Sequence, residues 1–248
     1  WALTQGLGAG AAIALALTAG LAAGLWNGVL VAVVGIQPFV ATLILMTMGR
    51  GVAQLITEGR ILTFTDPGFG WVGSGVALGL PVPVWIWLAT AIAVAAIMRR
   101  TALGLLVEAV GINRRAAHLA GVNATVLLIA VYVASGFCAA LAGIVVTADI
   151  RGADANNAGL WLELDAILAV VIGGNSLLGG RFSVAASVLG ALIIQTISAG
   201  ILLAGFASEY NLIIKAGLVL IILVLQSPRI ASEWRLWRDS HRAERGRT

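Results

Sequence analysis

Polar side chains are scarce along this chain and arrive in clusters, so their positions divide it into long apolar runs. The first charged residue is Arg50, and further charge-free stretches cover 67–98, 116–148 and 182–208. An apolar run of about 18 residues or more reads as a membrane-spanning helix. As one helix the stretch before Arg50 would reach roughly 74 Å, against a hydrocarbon core of about 30 Å. It must turn back. Gly35-Ile36-Gln37-Pro38 is the place, because proline disfavours helix in the residue before it and starts a new helix well. The pattern predicts spans over 9–34, 38–57, 82–98 and 125–148, then over 166–178, 183–206 and 211–226. The 166–178 segment is short and glycine-rich, so a half-span or broken helix is the alternative there. The predicted fold class is all-α, a polytopic transmembrane helix bundle of about seven spans. The bundle covers 1–228 and a basic tail covers 229–248.

The polar segments between spans set the orientation. Residues 58–80 are turn-rich, with Asp66-Pro67-Gly68 and Gly73-Ser74-Gly75. The loop 99–124 holds Arg99, Arg100, Arg114, Arg115 and Glu108, and 149–165 holds Asp149, Asp154, Glu163, Asp165 and Arg151. With the 99–124 loop in the cytoplasm, Arg181 and the arginine-rich tail 227–248 fall on the same side. The other side carries Arg60 and Arg151 with most of the acids, in accord with the positive-inside rule. Residues 149–165 are expected outside the membrane, and a multi-pass protein of the cytoplasmic (inner) membrane follows.

Composition then removes alternatives. The chain is 60% hydrophobic and 10% charged, against roughly 25% charged in a soluble domain. A soluble enzyme, a disordered region and a disulfide scaffold are excluded. The pI near 10.2 is a topology signal, not a nucleic-acid footprint. The chain opens at Trp1 within an apolar run without a basic n-region, which reads as a chain lacking its upstream spans. Cys138 lies in an apolar run and reads as a small packing residue. His118 and His241 lie in basic segments and read as surface residues. No Walker A sequence, His-Glu-x-x-His or paired cysteine occurs, so no catalytic residue, metal or cofactor is expected.

Two features inside the spans need a reason. Gly20-x3-Gly24-x3-Gly28 and Ala139-x3-Gly143 put small residues on one helix face, which lets backbones approach closely. Arg50 and Lys215 are charges within predicted spans, each costing about 2.5–3.5 kcal/mol at a helix centre. Both fall in outer halves, where a long stem can snorkel; a pathway role beside Gln54 or Asn211 is the alternative.

The loop 99–124 carries the most information. Glu108-Ala109-Val110-Gly111-Ile112-Asn113-Arg114-Arg115-Ala116-Ala117-His118-Leu119-Ala120-Gly121-Val122 predicts two short helices broken at Gly111, with Asn113 capping the second and Gly121 at its C′ position. Small alanines on one side suit insertion into a groove on a partner. This run resembles the coupling segment of ABC-importer permeases of the ribose/galactose-type sugar family. Pro38-Phe39-Val40-Ala41-Thr42-Leu43 followed by Gly49-Arg50-Gly51 agrees, as does Glu163-Leu164-Asp165-Ala166-Ile167 leading into Val171-Ile172-Gly173-Gly174-Asn175-Ser176-Leu177-Leu178-Gly179-Gly180. Residues 148–159 are most like the galactofuranose branch of that family. The resemblance runs to about Pro228.

The resemblance implies a type II importer permease that moves a monosaccharide (galactofuranose-, ribose- or galactose-like) by alternating access. It implies partners: cytoplasmic ATP-binding subunits, a second permease subunit and a periplasmic sugar-binding protein, all at the lipid bilayer. ATP hydrolysis belongs to the partner subunits. The coupling residues would be Glu108, Ala109, Gly111, Asn113, Arg114, Ala116, Ala117, Gly121 and Val122, and a bulky residue at Gly111 is expected to uncouple hydrolysis from uptake. Asp149, Arg151, Asn156, Asn157, Trp161 and Asp165 are candidates for the pathway mouth or binding-protein contact. Asn175, Ser176 and Gln195 are candidates for lining the pathway. Two rivals carry no ATPase partner: a seven-span receptor, and an ion-coupled carrier, which would want acids inside the spans.

Overall fold

The computed structural model describes residues 1–176, 179–205, 210, 213–217 and 220. Among them the long apolar runs are helices: α1 (Ala9–Val29), α2 (Pro38–Thr57), α4 (Val82–Arg100), α7 (Ala124–Ile150) and α9 (Val184–Leu203). These five are long and apolar enough to cross a membrane. α1 ends in a π-helical turn, Leu30–Val34, and Gly35 then takes φ 82°. Pro38 opens α2. The predicted reversal therefore forms where glycine supplies the left-handed residue and proline the new start.

The chain divides into two units. The first comprises residues 1–160 with 179–181. Its frame is α1 against α7, and glycine sets how near they come. A Cβ on Gly20 would lie 2.5 Å from the Ala140 Cβ, and one on Gly28 would lie 2.9 Å from the Ile129 Cα. Gly24 faces the Tyr132 carbonyl, and Gly136 faces that of Gly20. The small face of α1 is thus used for close approach, against Gly136, Ala140 and the backbone from Ile129 to Val133 on α7. Gly143, in the small-residue pair with Ala139, meets open space.

At the far end of α7 the turn-rich segment contains more structure than its glycines suggest. Helix α3 (Pro67–Ser74) starts with Pro67 at its first position, and Asp66 Oδ1 accepts from the Phe69 N–H at 2.8 Å. Gly73 packs on the backbone of Ala148 and Asp149, and Phe69, Ile144 and Ala148 form a buried cluster there. Strands β2 (Val76–Ala77) and β3 (Leu80–Pro81) form a hairpin turning on Leu78 and Gly79, both at positive φ. Strand β1 (Leu62–Thr63) pairs antiparallel with β4 (Gly152–Ala153). The two segments predicted to share one side of the membrane are therefore hydrogen-bonded to each other.

The second unit comprises the described residues from Trp161 onward other than 179–181. α8 (Leu162–Ile172) packs on α9 around Leu168, Ala169 and Ile194. Gly173 approaches the Ala186 carbonyl, and Gly190 approaches that of Ala169. At 11 residues α8 rises about 16 Å, half the hydrocarbon core. The full crossing predicted over 166–178 is replaced by the shorter alternative, because Gly173 and Gly174 end the helix and the chain turns. Asp149 and Asp165, predicted in one outer loop, stand on α7 and α8. The predicted span 211–226 falls largely, and the tail 229–248 wholly, outside the described residues.

Candidate functional site: the coupling segment and the loops it touches

The loop after α4 folds as α5 (Ala102–Ile112) and α6 (Arg114–Leu119). Sequence placed the break at Gly111, but α5 runs through that residue. Asn113 breaks the helix, with φ −153° and ψ 101°, and its Oδ1 accepts from the Ala116 N–H at 3.0 Å. Asparagine is a strong cap because its side chain competes with the backbone for N–H groups. Gly111 stays helical and is small for another reason: a Cβ there would lie 3.1 Å from the Gly180 nitrogen. α6 closes with Ala120, and Gly121 takes φ 85° as predicted.

Among the coupling residues, Ala117 is buried and Glu108 and Val122 are half-buried; Ala109, Gly111, Asn113, Arg114, Ala116 and Gly121 are exposed. Leu119 at the tip of α6 is 88% exposed. Leu119 lies outside the coupling residues expected from sequence, and an apolar residue after a basic turn is the signal that marks it. Arg114, Arg115, His118 and Gly121–Thr125 border an open groove of about 730 Å³. α6 thus presents cations, small residues and the bare Leu119 together, a surface that suits a protein partner.

At the opposite ends of the long helices a polar node joins α2 to the chain after β4. Gln54 Nε2 donates to Asn156 Oδ1 at 2.8 Å, Asn156 Nδ2 donates to the Gly59 carbonyl at 3.2 Å, and an Arg50 guanidinium N–H reaches the Asn156 carbonyl at 3.5 Å. Asp154 accepts from the Asn156 and Asn157 backbones and from Asn157 Nδ2 at 2.7 Å. Those bonds, the Asn157 side chain first, hold its carboxyl below the usual carboxylate range. Arg50 has therefore a specific partner here beyond snorkelling. Arg151 and Trp161 both take left-handed backbone, unusual for such residues. Asp149, Arg151 and Trp161 are exposed, and Arg151 borders a cleft of about 340 Å³ with Asp66 and Trp71.

In the second unit Asp165, in the first turn of α8, accepts from Lys215 Nζ at 2.7 Å; the lysine and aspartate side chains are 18% and 27% exposed. A carboxylate in a helix first turn also suits the helix dipole. Asn175 is 8% exposed. Its Oδ1 accepts from the Ser183 N–H at 2.7 Å, and its Nδ2 donates to the Ser183 carbonyl at 3.2 Å and to Ser187 Oγ at 2.8 Å. All of its amide is spent on the turn from α8 to α9. Its placement is that of a clamp on this turn. Ser176 and Gln195 are exposed.

Helices of this length and composition, with close glycine contacts and an exposed basic segment between them, mark a multi-pass membrane protein. Over residues 1–223 the chain matches the family described as branched-chain amino acid transport system / permease component, and it belongs to that family. It is 60% identical over 217 residues to the galactofuranose transporter permease protein YtfT of Escherichia coli (strain K12), covering 88% of this chain and 64% of that protein. It is 42% identical to the fructose import permease protein FruF of Bifidobacterium longum (strain NCC 2705), over 92% of this chain and 65% of that one. It is 39% identical to the ribose import permease protein RbsC of Escherichia coli (strain K12), over 88% and 69%. The chain thus spans about two thirds of the length of these relatives. No solved structure matches it.

Proposed function

We propose that the chain is the membrane-spanning permease of an ATP-driven sugar importer in the cytoplasmic membrane, moving a monosaccharide of the galactofuranose, ribose or galactose kind. It works with cytoplasmic ATP-binding subunits, a second permease subunit and an extracytoplasmic sugar-binding protein, and hydrolysis takes place in the ATP-binding subunits. The observation that carries the reading is the α5–α6 segment. It is two short helices hinged on one capping asparagine, exposing Arg114, Arg115 and Leu119, in a chain whose relatives bear the names of sugar permeases. α6 seats in a groove of the ATP-binding subunit, and movement of that subunit pushes on α5.

In the same reading the ends bearing Asn113 and Gly180 face the cytoplasm, and those bearing Asn156 and Arg151 face outward. Alternating access then needs each nucleotide state to favour one arrangement, because a ligand shifts an equilibrium only by its differential affinity. The node of Arg50, Gln54 and Asn156, with Arg151 on the same side of that unit, is the proposed contact for the binding protein. Co-expression with a candidate ATP-binding subunit tests the reading. The subunit should co-purify, and Leu119→Asp with Arg114→Glu should abolish its capture while the permease still accumulates in the membrane. Capture unaffected by that double change would refute the assignment of α6.

A further inference from the structure

The glycine pair after α8 has a use that close packing alone does not explain. Among residues 161–220 described, 179–181 group with the first unit, while Phe182 and Ser183 return to the second. This short stretch lies against the end of α5: the Gly111 Cβ position is 3.1 Å from the Gly180 nitrogen, and the Gly179 Cβ position is 2.7 Å from the Gly111 carbonyl oxygen. Gly179 and Gly180 take φ 93° and 105°, where a side chain is strained. Backbone therefore meets backbone, with no side chain between them to absorb a displacement.

We propose that this contact is a mechanical relay, with Gly111, Gly179 and Gly180 as positioning residues that pass motion of the coupling segment into the α8–α9 unit. The inference rests on the reading of α5–α6 as the ATPase-coupling segment. The chain of fixed points is short. Asn113 is at once the C-cap of α5 and the N-cap of α6, so a push on α6 moves the last turn of α5, where Gly111 sits. Gly179 and Gly180 lie against that turn. Three residues beyond Gly180 comes Ser183, which caps α9 by accepting from the Ala186 N–H at 3.3 Å. Ser183 cannot give way independently, because Asn175 holds both its N–H and its carbonyl. A displacement carried along the backbone of 179–182 thus arrives at a node that ties the end of α8 to the start of α9. A side chain in this contact would act as a spacer and slip, which accounts for glycine on both faces.

The two glycines provide their own control. Gly179→Ala and Gly180→Ala suffer matched backbone strain, but only the Cβ at 179 meets the Gly111 carbonyl; the Cβ at 180 meets open space. Each variant is co-expressed with the ATP-binding subunit and reconstituted with the sugar-binding protein, and uptake of labelled sugar per ATP hydrolysed is measured. Gly179→Ala is expected to lower that ratio about tenfold, within the range typical of coupling between sites, with capture of the subunit and basal hydrolysis retained. Gly180→Ala is expected to stay within about twofold of the unmodified protein. Equal losses in the two variants, or a normal ratio in Gly179→Ala, would overturn the relay. Should Gly179→Ala fail to accumulate, Gly111→Leu forces the same contact apart from an unstrained helical position, and a normal ratio there would overturn it too. If the unmodified protein captures no ATP-binding subunit, the coupling reading beneath the relay fails, an outcome distinct from a captured complex with unaltered ratios.

Discussion

Replacing Asn175 with alanine probes the turn that joins α8 to α9. Asn175 makes three hydrogen bonds there, to Ser183 N–H at 2.7 Å, to the Ser183 carbonyl at 3.2 Å and to Ser187 Oγ at 2.8 Å. Each is worth about 0.5–1.5 kcal/mol net, and the buried groups left behind carry a desolvation penalty besides. The three bonds together come to about 1.5–4.5 kcal/mol. A local loss of about 2 kcal/mol multiplies the population of the open turn roughly 30-fold. The assay is hydrogen exchange of the detergent-solubilised protein, read at the Ser183 amide. Its exchange should accelerate roughly 30-fold in Asn175→Ala, with peptides from α1 and α7 unchanged. Ser187→Ala removes only one of the three bonds and should accelerate it about threefold to tenfold. Exchange at Ser183 that does not respond to Asn175→Ala would refute the clamp.

The contact between α1 and α7 predicts opposite responses from two glycines. Gly24→Leu should cost about 3 kcal/mol or more by forcing the backbones apart, seen as loss of a monodisperse peak and a lowered Tm, whereas Gly143→Ala, in open space, should stay within about 0.5 kcal/mol. Lys215→Met leaves Asp165 without its cation and should destabilise by about 1–3 kcal/mol, less than a fully buried pair because both groups are partly exposed. Adding Asp165→Asn should recover at least half of that loss in a double-mutant cycle. The lowered pKa of Asp154 means that its ionised form is favoured by the fold. The order it gives the turn at 154–157 is present above the ordinary carboxylate range and is lost as pH falls through the lowered value. Exchange at the Asn156 amide, corrected for intrinsic pH dependence, should rise over that descent and should not do so in Asp154→Asn.

Hydropathy and proline placed the long helices with little error, because both act locally and the bilayer leaves few alternatives to a helix. α1 with its π-helical turn and α2 fill the predicted 9–34 and 38–57. What the sequence concealed depends on partners distant in the chain. On α7, Gly136 and Ala140 meet Gly20, Gly136 with Tyr132 and Val133 meets Gly24, and Ile129 meets Gly28, a set fixed by how the two helices pack and not by the spacing of small residues along α7. By local pattern Gly111 points to a helix break, whereas the reason for a glycine there is Gly180, 69 positions further on. Asn113 was legible as a cap, and it also breaks the helix. Asp66-Pro67 lies among turn residues, yet the same pair is a helix-start signal, and the hydrogen-bond partners of Asn175 lie across a loop, beyond the reach of local pattern. The pairing of Lys215 with Asp165 was equally beyond reach, since nothing in the sequence brings those two helices together.

In the proposed function, ATP hydrolysis by a partner subunit drives a monosaccharide through this chain. Uptake of labelled galactofuranose into proteoliposomes, containing the permease and its ATP-binding subunit with the sugar-binding protein outside, tests it most directly. Sugar should accumulate only when ATP is enclosed and the binding protein is present, and uptake should be lost in the Leu119→Asp, Arg114→Glu variant. Uptake that proceeds equally without ATP, or that follows an imposed ion gradient, would contradict it.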